Sequence, residues 1–219
     1  MVKIVTLMKR RSGLSGGDFQ KHLRAKYGPR AAKGPGLRRY VQSCALVQGY
    51  TNIRENFSSM RSAKCGSIRW KLPVIAFARA REDESAFLDP SRTVVMPVDV
   101  YVIKDGAIPD NAVKNIEFVN RRRGMPLTSF RAYWRNVHGP LAATIPVLRR
   151  YEQNHLAMAE YEKNETPPFD GLAITWFAST ADMRRGTTTP EYAATRADEP
   201  HFLQDGHLPI IITREHLVV

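Results

Sequence analysis

Alternating and helical spacings divide the chain into short elements. Val2, Ile4, Thr6 and Met8 face one way, and Lys3, Val5, Leu7 and Lys9 the other, which is the period of a strand over Val2–Lys9. A Gly- and Ser-rich turn follows at Arg10–Gly17, with Asp18 as the expected helix N-cap. Phe19, Leu23 and Tyr27 then fall at i, i+4 and i+8, a helical stripe that Gly28-Pro29 should end as a Gly C-cap followed by Pro. Strands are predicted over Leu37–Val47, more weakly over Cys65–Leu72, and strongly over the Val-rich Thr93–Ile103. Between them lie a polar loop, Tyr50–Lys64, and a stretch of undecided character, Val74–Leu88. Lys104–Asn111, with Asp105-Gly106 and Pro109, reads as a linker.

The order then returns. Strand Lys114–Asn120 leads to a helix capped by Thr128 or Ser129, with the stripe Phe130, Trp134, Val137 and His138. Strands Leu148–Ala157, Asp170–Ala178 and Pro209–Val218 follow, with a polar loop at Glu160–Pro168 and short helices at Thr180–Arg185 and Pro190–Ala197. With Gly28-Pro29 laid on Gly139-Pro140, residues 13–42 and 124–153 are identical at thirteen of thirty positions, among them Leu37-Arg38-Arg39-Tyr40 and Leu148-Arg149-Arg150-Tyr151. Identity at one constant offset indicates two copies of one module. Two domains are expected, 1–104 and 112–219, each running β-α-β-(β)-α-β in the ferredoxin-like manner. Such a sheet covers one face with its own helices and leaves the other bare. The fold class is therefore α+β, two ferredoxin-like repeats forming an intrachain, pseudo-dimeric α+β barrel.

Composition adds limits. Lys+Arg 33 against Asp+Glu 21 gives a net charge of +12, which favours anionic partners in general. The arginines are spread through both copies, so a basic surface is expected rather than a nucleic-acid site. Arg121-Arg122-Arg123 matches Lys9-Arg10-Arg11 in the turn after the first strand, as a basic rim or a solvated turn. Cys44 and Cys65 are too few for a disulfide framework and fit a reducing, cytoplasmic setting. The start, MVKIVTLMKRR, lacks the secretory order of charge and apolar run, and no stretch approaches a membrane span. Neither a dinucleotide nor a phosphate-binding glycine motif occurs, and no metal-ligand spacing, so no cofactor and no metal are expected.

The chemistry gathers in the second copy. His138 shares the helix face of Phe130 and Trp134, in what should be the last helical turn, where the helix terminus and an apolar pocket pull its pKa in opposite directions. On the next strand Tyr151, Gln153 and His155 share one face, and Arg150, Glu152 and Asn154 the other. A pocket is expected between the helix Thr128–His138 and the sheet. His138, His155 and Tyr151 are its candidate catalytic groups; Phe130, Tyr133, Trp134, Gln153, Trp176 and Asp198 are its candidate binding residues. Asp198-Glu199 recurs as Asp83-Glu84, which favours a structural role, although Asp198 could orient a histidine. The first copy carries Tyr27 for His138 and Cys44 for His155, so one working site and one scaffold copy are expected.

These residues carry a resemblance. The pattern F-R-x-Y-W-R-x-V-H-G-P at Phe130–Pro140, L-R-R-Y-x-Q-N-H at Leu148–His155, D-G-L-A-I-T-W-F at Asp170–Phe177, A-D-E-x-x-F at Ala197–Phe202, and Glu215-His216 resembles the EthD family, a branch of the dimeric α+β barrel superfamily. The likeness runs through nearly all of the second copy. In the first it holds over the first half, Asp83-Glu84, Phe87 and the last strand, and departs between Gly49 and Arg79. It implies metabolism of small aromatic, polyketide or ether compounds. The expected function is a cofactor-independent enzyme doing acid/base, lyase-type chemistry (decarboxylation, dehydration or isomerisation) on a small aromatic or polyketide-like metabolite. The alternatives are an oxygenase or haem-binding protein of the same superfamily, with a histidine as axial ligand, and a non-catalytic small-molecule-binding module. The expected partner is a small-molecule substrate, with no membrane and no nucleic acid; a homodimer is left open.

Overall fold

The computed structural model describes residues 3–46, 65–70, 84–163, 166–204 and 209–219. The expected loop Tyr50–Lys64, most of Val74–Leu88, and Asp83 lie outside the described residues. The chain is mixed α+β, with antiparallel sheet, and divides into two compact units: Met1–Pro97 with Thr213–Val219, and Val98–Ile212.

In the first unit, β1 (Lys3–Met8) leads to α1, whose parts are Gly16–His22, a wide π turn at Leu23–Tyr27, and Gly28–Ala31. Strand β2 (Tyr40–Ala45) follows, then β3 (Cys65–Trp70), which runs antiparallel between β1 and β2. The far edge of β2 pairs with the end of β8 (Ile210–Leu217), from Ala45 opposite Thr213 to Val41 opposite Leu217. The helix stripe Phe19, Leu23 and Tyr27 is buried with Tyr40, Cys44 and Phe87, the last from the short helix α2 (Glu84–Phe87).

The second unit repeats the plan. Strand β5 (Val113–Val119) leads to α3, again in three parts: Leu127–Tyr133, a π turn at Trp134–His138, and Gly139–Ala143. Strand β7 (Gly171–Phe177) lies antiparallel between β5 and β6 (Leu148–Leu156). The far edge of β6 pairs with Val98–Lys104 of β4 (Val94–Lys104). Helices α4 (Thr180–Gly186) and α5 (Pro190–Asp198) complete the unit.

The helices differ from expectation in an informative way. Neither stops at its Gly-Pro. Gly28 and Gly139 keep helical φ values of -57°, and both helices run on beyond them. Proline lacks an N–H and normally breaks a helix interior. Here the preceding turn is a π turn, with Gly139 N–H reaching the Trp134 carbonyl, and Pro140 opens the following segment, where a missing donor costs little. A buried glutamine explains the widening. Gln153 Nε2 donates to Trp134 O at 2.6 Å, as Gln42 Nε2 does to Leu23 O at 2.8 Å. A Cβ on Gly139 or Gly28 would fall 2.8 Å from that amide nitrogen, so the glycine clears space for the glutamine rather than capping the helix. His138 therefore sits mid-helix, away from a negative helix end, and Val137 turns outward at 48% exposure instead of joining the stripe. Capping differs too: Ser15, not Asp18, caps α1, and α3 starts after Pro126 without a side-chain cap.

Candidate functional site

The sheet face beneath α3 is organised by Gln153. Its Nε2 also donates to Tyr151 Oη at 3.2 Å, and its Oε1 pairs with His155 Nε2 at 3.0 Å. An amide oxygen only accepts, so His155 carries its proton on Nε2 and leaves Nδ1 buried without a partner. The His155 ring stacks on Trp134 at 4.3 Å and meets Tyr101 edge-on at 4.9 Å. Burial, with Arg131 and Arg135 nearby, pushes its pKa down to about 3, so it is a neutral core residue. Tyr151 Oη accepts from Trp134 Nε1 as well, at 3.3 Å. With two donors on its oxygen, its own proton is left to donate, and burial pushes its pKa up so that the proton stays.

Above Tyr151 lies a cavity of about 270 Å³ within the second unit. Its floor is the sheet: Asn115 and Glu117 of β5, Tyr151 of β6, and Ala173 and Thr175 of β7. Its roof comes from α3 through His138 and Ala142, and from α4 and α5 through Met183, Tyr192 and Arg196, with Glu199 just beyond α5. Ile145, Leu148, Phe177 and Ile210 add apolar wall.

Two charged groupings meet there. In the first, Asp198 accepts Tyr133 Oη–H at 2.6 Å and holds His138 Nδ1 at 2.9 Å. Burial raises the Asp198 pKa, but the hydrogen bonds from Tyr133 and His138 outweigh it and the net shift is downward. The same bond to Asp198, with some burial, pushes Tyr133 up to about 12. His138 is 6% exposed, and burial lowers its pKa against the raising effect of Asp198. A neutral His138 then gives its Nδ1 proton to Asp198, leaving Nε2 as the basic nitrogen. In the second grouping, Arg196 Nη1 stands 2.7 Å from Glu199 Oε1 and 3.5 Å from Glu117 Oε1. Burial raises both carboxyls despite Arg196, and Glu117 adds to the rise of Glu199, which reaches about 7. Glu117 keeps 22% side-chain exposure while being deeply desolvated, because it borders the cavity.

Of the residues singled out in the sequence, His138 and Tyr151 line the cavity. Tyr133 and Asp198 stand behind His138, and Phe130, Trp134, Gln153 and His155 form the packed layer beside it. Trp176 is on the other sheet face: it pairs with Arg150, one position from the Tyr151–Thr175 pair, and lies under Lys114 and Arg150. Glu117, Arg196 and Glu199 were not foreseen. Glu117 carried one signal: a carboxylate between Ile116 and Phe118 in an otherwise well-buried strand, on the face that alternation assigns to the helix side. Glu199 carried a signal in the recurrence of Asp198-Glu199 as Asp83-Glu84, read as structural, and Arg196 only its i, i+3 spacing to Glu199. Among the described residues no three His, Cys, Asp or Glu side chains are grouped to hold a metal ion, and no helix is long and apolar enough to cross a membrane.

Residues 122–206 match the EthD domain. That span contains α3, β6, β7, α4 and α5, and so His138, Arg196, Asp198 and Glu199. No curated protein sequence matches the chain. Solved structures resemble the fold. An anthrone oxidase-like protein aligns with a TM-score of 0.60 at 8% identity, over 99% of this chain and 93% of its own. A heme-binding protein from Thermus thermophilus aligns at 0.54 and 11% identity, over 98% and 90%. A mutant chlorite dismutase from Candidatus Nitrospira defluvii aligns at 0.52 and 8% identity, over 97% and 91%. At such identities the likeness is one of fold.

Proposed function

We propose that the EthD-like second unit is a cofactor-independent enzyme that removes a proton from a small, largely apolar, hydroxylated aromatic or polyketide-like molecule. One observation carries the reading: an imidazole on the cavity wall, held through Nδ1 by an aspartate that is itself fixed by Tyr133. His138 Nε2 accepts the proton, and Asp198 stabilises the imidazolium that forms. The Tyr151 hydroxyl, its oxygen already accepting twice, donates to the substrate oxygen where negative charge develops. Apolar walls keep water from competing.

Two fates of the resulting carbanion have support. The fold likeness to an anthrone oxidase-like protein favours capture by dioxygen. A substrate methylene and one dioxygen then become a ketone carbonyl and one water, by way of a hydroperoxide that loses that water. A carboxyl whose pKa lies near 7, Glu199, instead favours elimination, protonating a departing hydroxyl as water. Haem does not fit this cavity. Haem carries two anionic propionates, whereas the cavity wall holds Glu117 and Glu199 with one arginine between them.

The first copy is read as a second EthD-like unit without a base. There Tyr27, the counterpart of His138, donates its hydroxyl proton to Glu84, the counterpart of Glu199, at 2.8 Å. Fold likeness over 97–99% of the chain supports reading the two copies as halves of one intrachain α+β barrel. The test is a panel of small hydroxylated aromatics, followed for absorbance change and dioxygen uptake. On a turned-over compound, His138→Ala should lose roughly 10²–10⁴ in turnover while thermal melts stay cooperative. Full turnover by His138→Ala, or a Soret band from stoichiometric haem bound through His138, would overturn the reading.

A further inference from the structure

The charges on the cavity wall oppose those of the whole chain. The protein carries +12, yet the cavity presents Glu117 and Glu199, with Asp198 behind His138, against one guanidinium. That guanidinium already faces both carboxylates, Nη1 lying 2.7 Å from Glu199 and 3.5 Å from Glu117. Even with one proton on the glutamate pair, Arg196 only balances the other glutamate, and the Asp198 charge remains.

The hydrogen-bond inventory points the same way. On the floor, the Asn115 amide oxygen is buried with no donor, beside Glu117 two residues along β5. The carboxylates of Glu117 and Glu199 can accept more bonds than one nitrogen of Arg196 supplies. Acceptor capacity at the β5–α5 end is thus open to a ligand that brings a donor. A donor, the Tyr151 hydroxyl, stands on the β6 side. A ligand that completes this wall must bring a hydrogen-bond donor to the glutamates and must not bring a negative charge, because an unpaired carboxylate buried beside another is disfavoured.

We infer that the Glu117–Arg196–Glu199 cluster is the specificity element of the site, taking an uncharged ligand by its hydroxyl group and turning carboxylates away. This deepens the acid/base reading and rests on it for the site's use. It leaves hydroxylated substrates for oxygenation or dehydration and removes decarboxylation, which needs a carboxylate in the cavity. Glu199, with a pKa raised to about 7 by burial and then by Glu117, can accept from the hydroxyl or share its own proton with it.

Binding of 2-naphthol and 2-naphthoate, two probes that differ in the polar group on the same ring system, tests the inference by calorimetry at pH 7. The wild-type protein should bind 2-naphthol at least about tenfold more tightly than 2-naphthoate. The double change Glu117→Gln/Glu199→Gln frees Arg196 and should tighten 2-naphthoate binding by at least about tenfold, closing or reversing the gap. If the double variant melts non-cooperatively, Glu199→Gln alone should move the ratio in the same direction. Equal or tighter binding of 2-naphthoate by the wild type overturns the inference. So does failure to bind 2-naphthol, or an unchanged ratio in folded variants. The measurement reads binding in the absence of turnover, whereas the proton-transfer role is read from the turnover of His138→Ala. A failed preference is thus distinct from a failed proton-transfer role.

Discussion

Replacing Glu199 by Gln should change how stability depends on pH. The ordinary glutamate pKa of 4.5 rises to about 7 in the folded protein, first because burial penalises the charged form and then because Glu117 is close. The folded state therefore holds this proton more tightly than the unfolded chain does. Between the two values the native protein binds more protons, so stability falls as pH rises through that window and is level on either side. A separation of about 2.5 pH units at about 1.4 kcal/mol each sets the loss at about 3.5 kcal/mol, an upper figure for a side chain that keeps some exposure. The glutamine of the variant cannot ionise but can still accept from Arg196. Relative to wild type, Glu199→Gln should thus gain stability as pH rises from about 4.5 to about 7 and level off above that, by up to about 3.5 kcal/mol in all, whatever the constant offset from its weakened Arg196 contact. Urea melts of both proteins at four pH values, followed by tryptophan fluorescence, give the difference directly. Other groups are shifted as well, Glu117 upward by burial and His138 downward by burial, but they are common to both proteins apart from their coupling to Glu199. Parallel stability profiles, or a wild type that gains on the variant as pH rises, would refute the assignment of a desolvated carboxyl at this position.

Other outcomes follow from the same geometry. Gly139→Ala should cost about 1–3 kcal/mol in a denaturant melt, because its Cβ meets Gln153 Nε2 at 2.8 Å and Trp134 O at 3.2 Å; a stabilising alanine, as in an ordinary helix, would contradict the role given to Gln153. Gly171→Ala should cost more, since there the obstacle is a carbonyl, Asn154 O, at 2.6 Å with Trp134 Cζ3 at 2.7 Å. With a turned-over substrate, kcat/KM should rise with pH through a value below 6.5 as His138 loses its proton, then level off for the dioxygen route or fall through about 7 for elimination as Glu199 loses its own. In Asp198→Asn the midpoint of that rise should fall further, because Asp198 raises the His138 pKa; a rise with its midpoint above 6.5 in wild type would set the base elsewhere.

Local spacing is enough to place most of this fold. The thirteen identities between the copies, the period of two along Leu148–His155, and the stripe Phe130–Trp134–His138 are properties of neighbouring residues, and a helix or strand converts them into faces without knowing its partners. The faces so assigned put Tyr151, Gln153 and His155 under the helix, where their contacts with Trp134 are found. Tertiary packing decides what spacing leaves open. Whether His-Gly-Pro ends a helix or passes through it depends on Gln153, fourteen positions after Gly139 and on another element. Whether His155 reaches a ligand depends on the ring of Trp134 laid over it. Trp176 looked like part of the wall by its type, yet its pairing with Arg150 puts it on the opposite sheet face. The cavity itself is made by Glu117 from β5, Arg196 from α5 and Glu199 beyond it. A carboxylate's chemistry depends on how much water and which charges surround it, and those arrive from segments far apart in the chain.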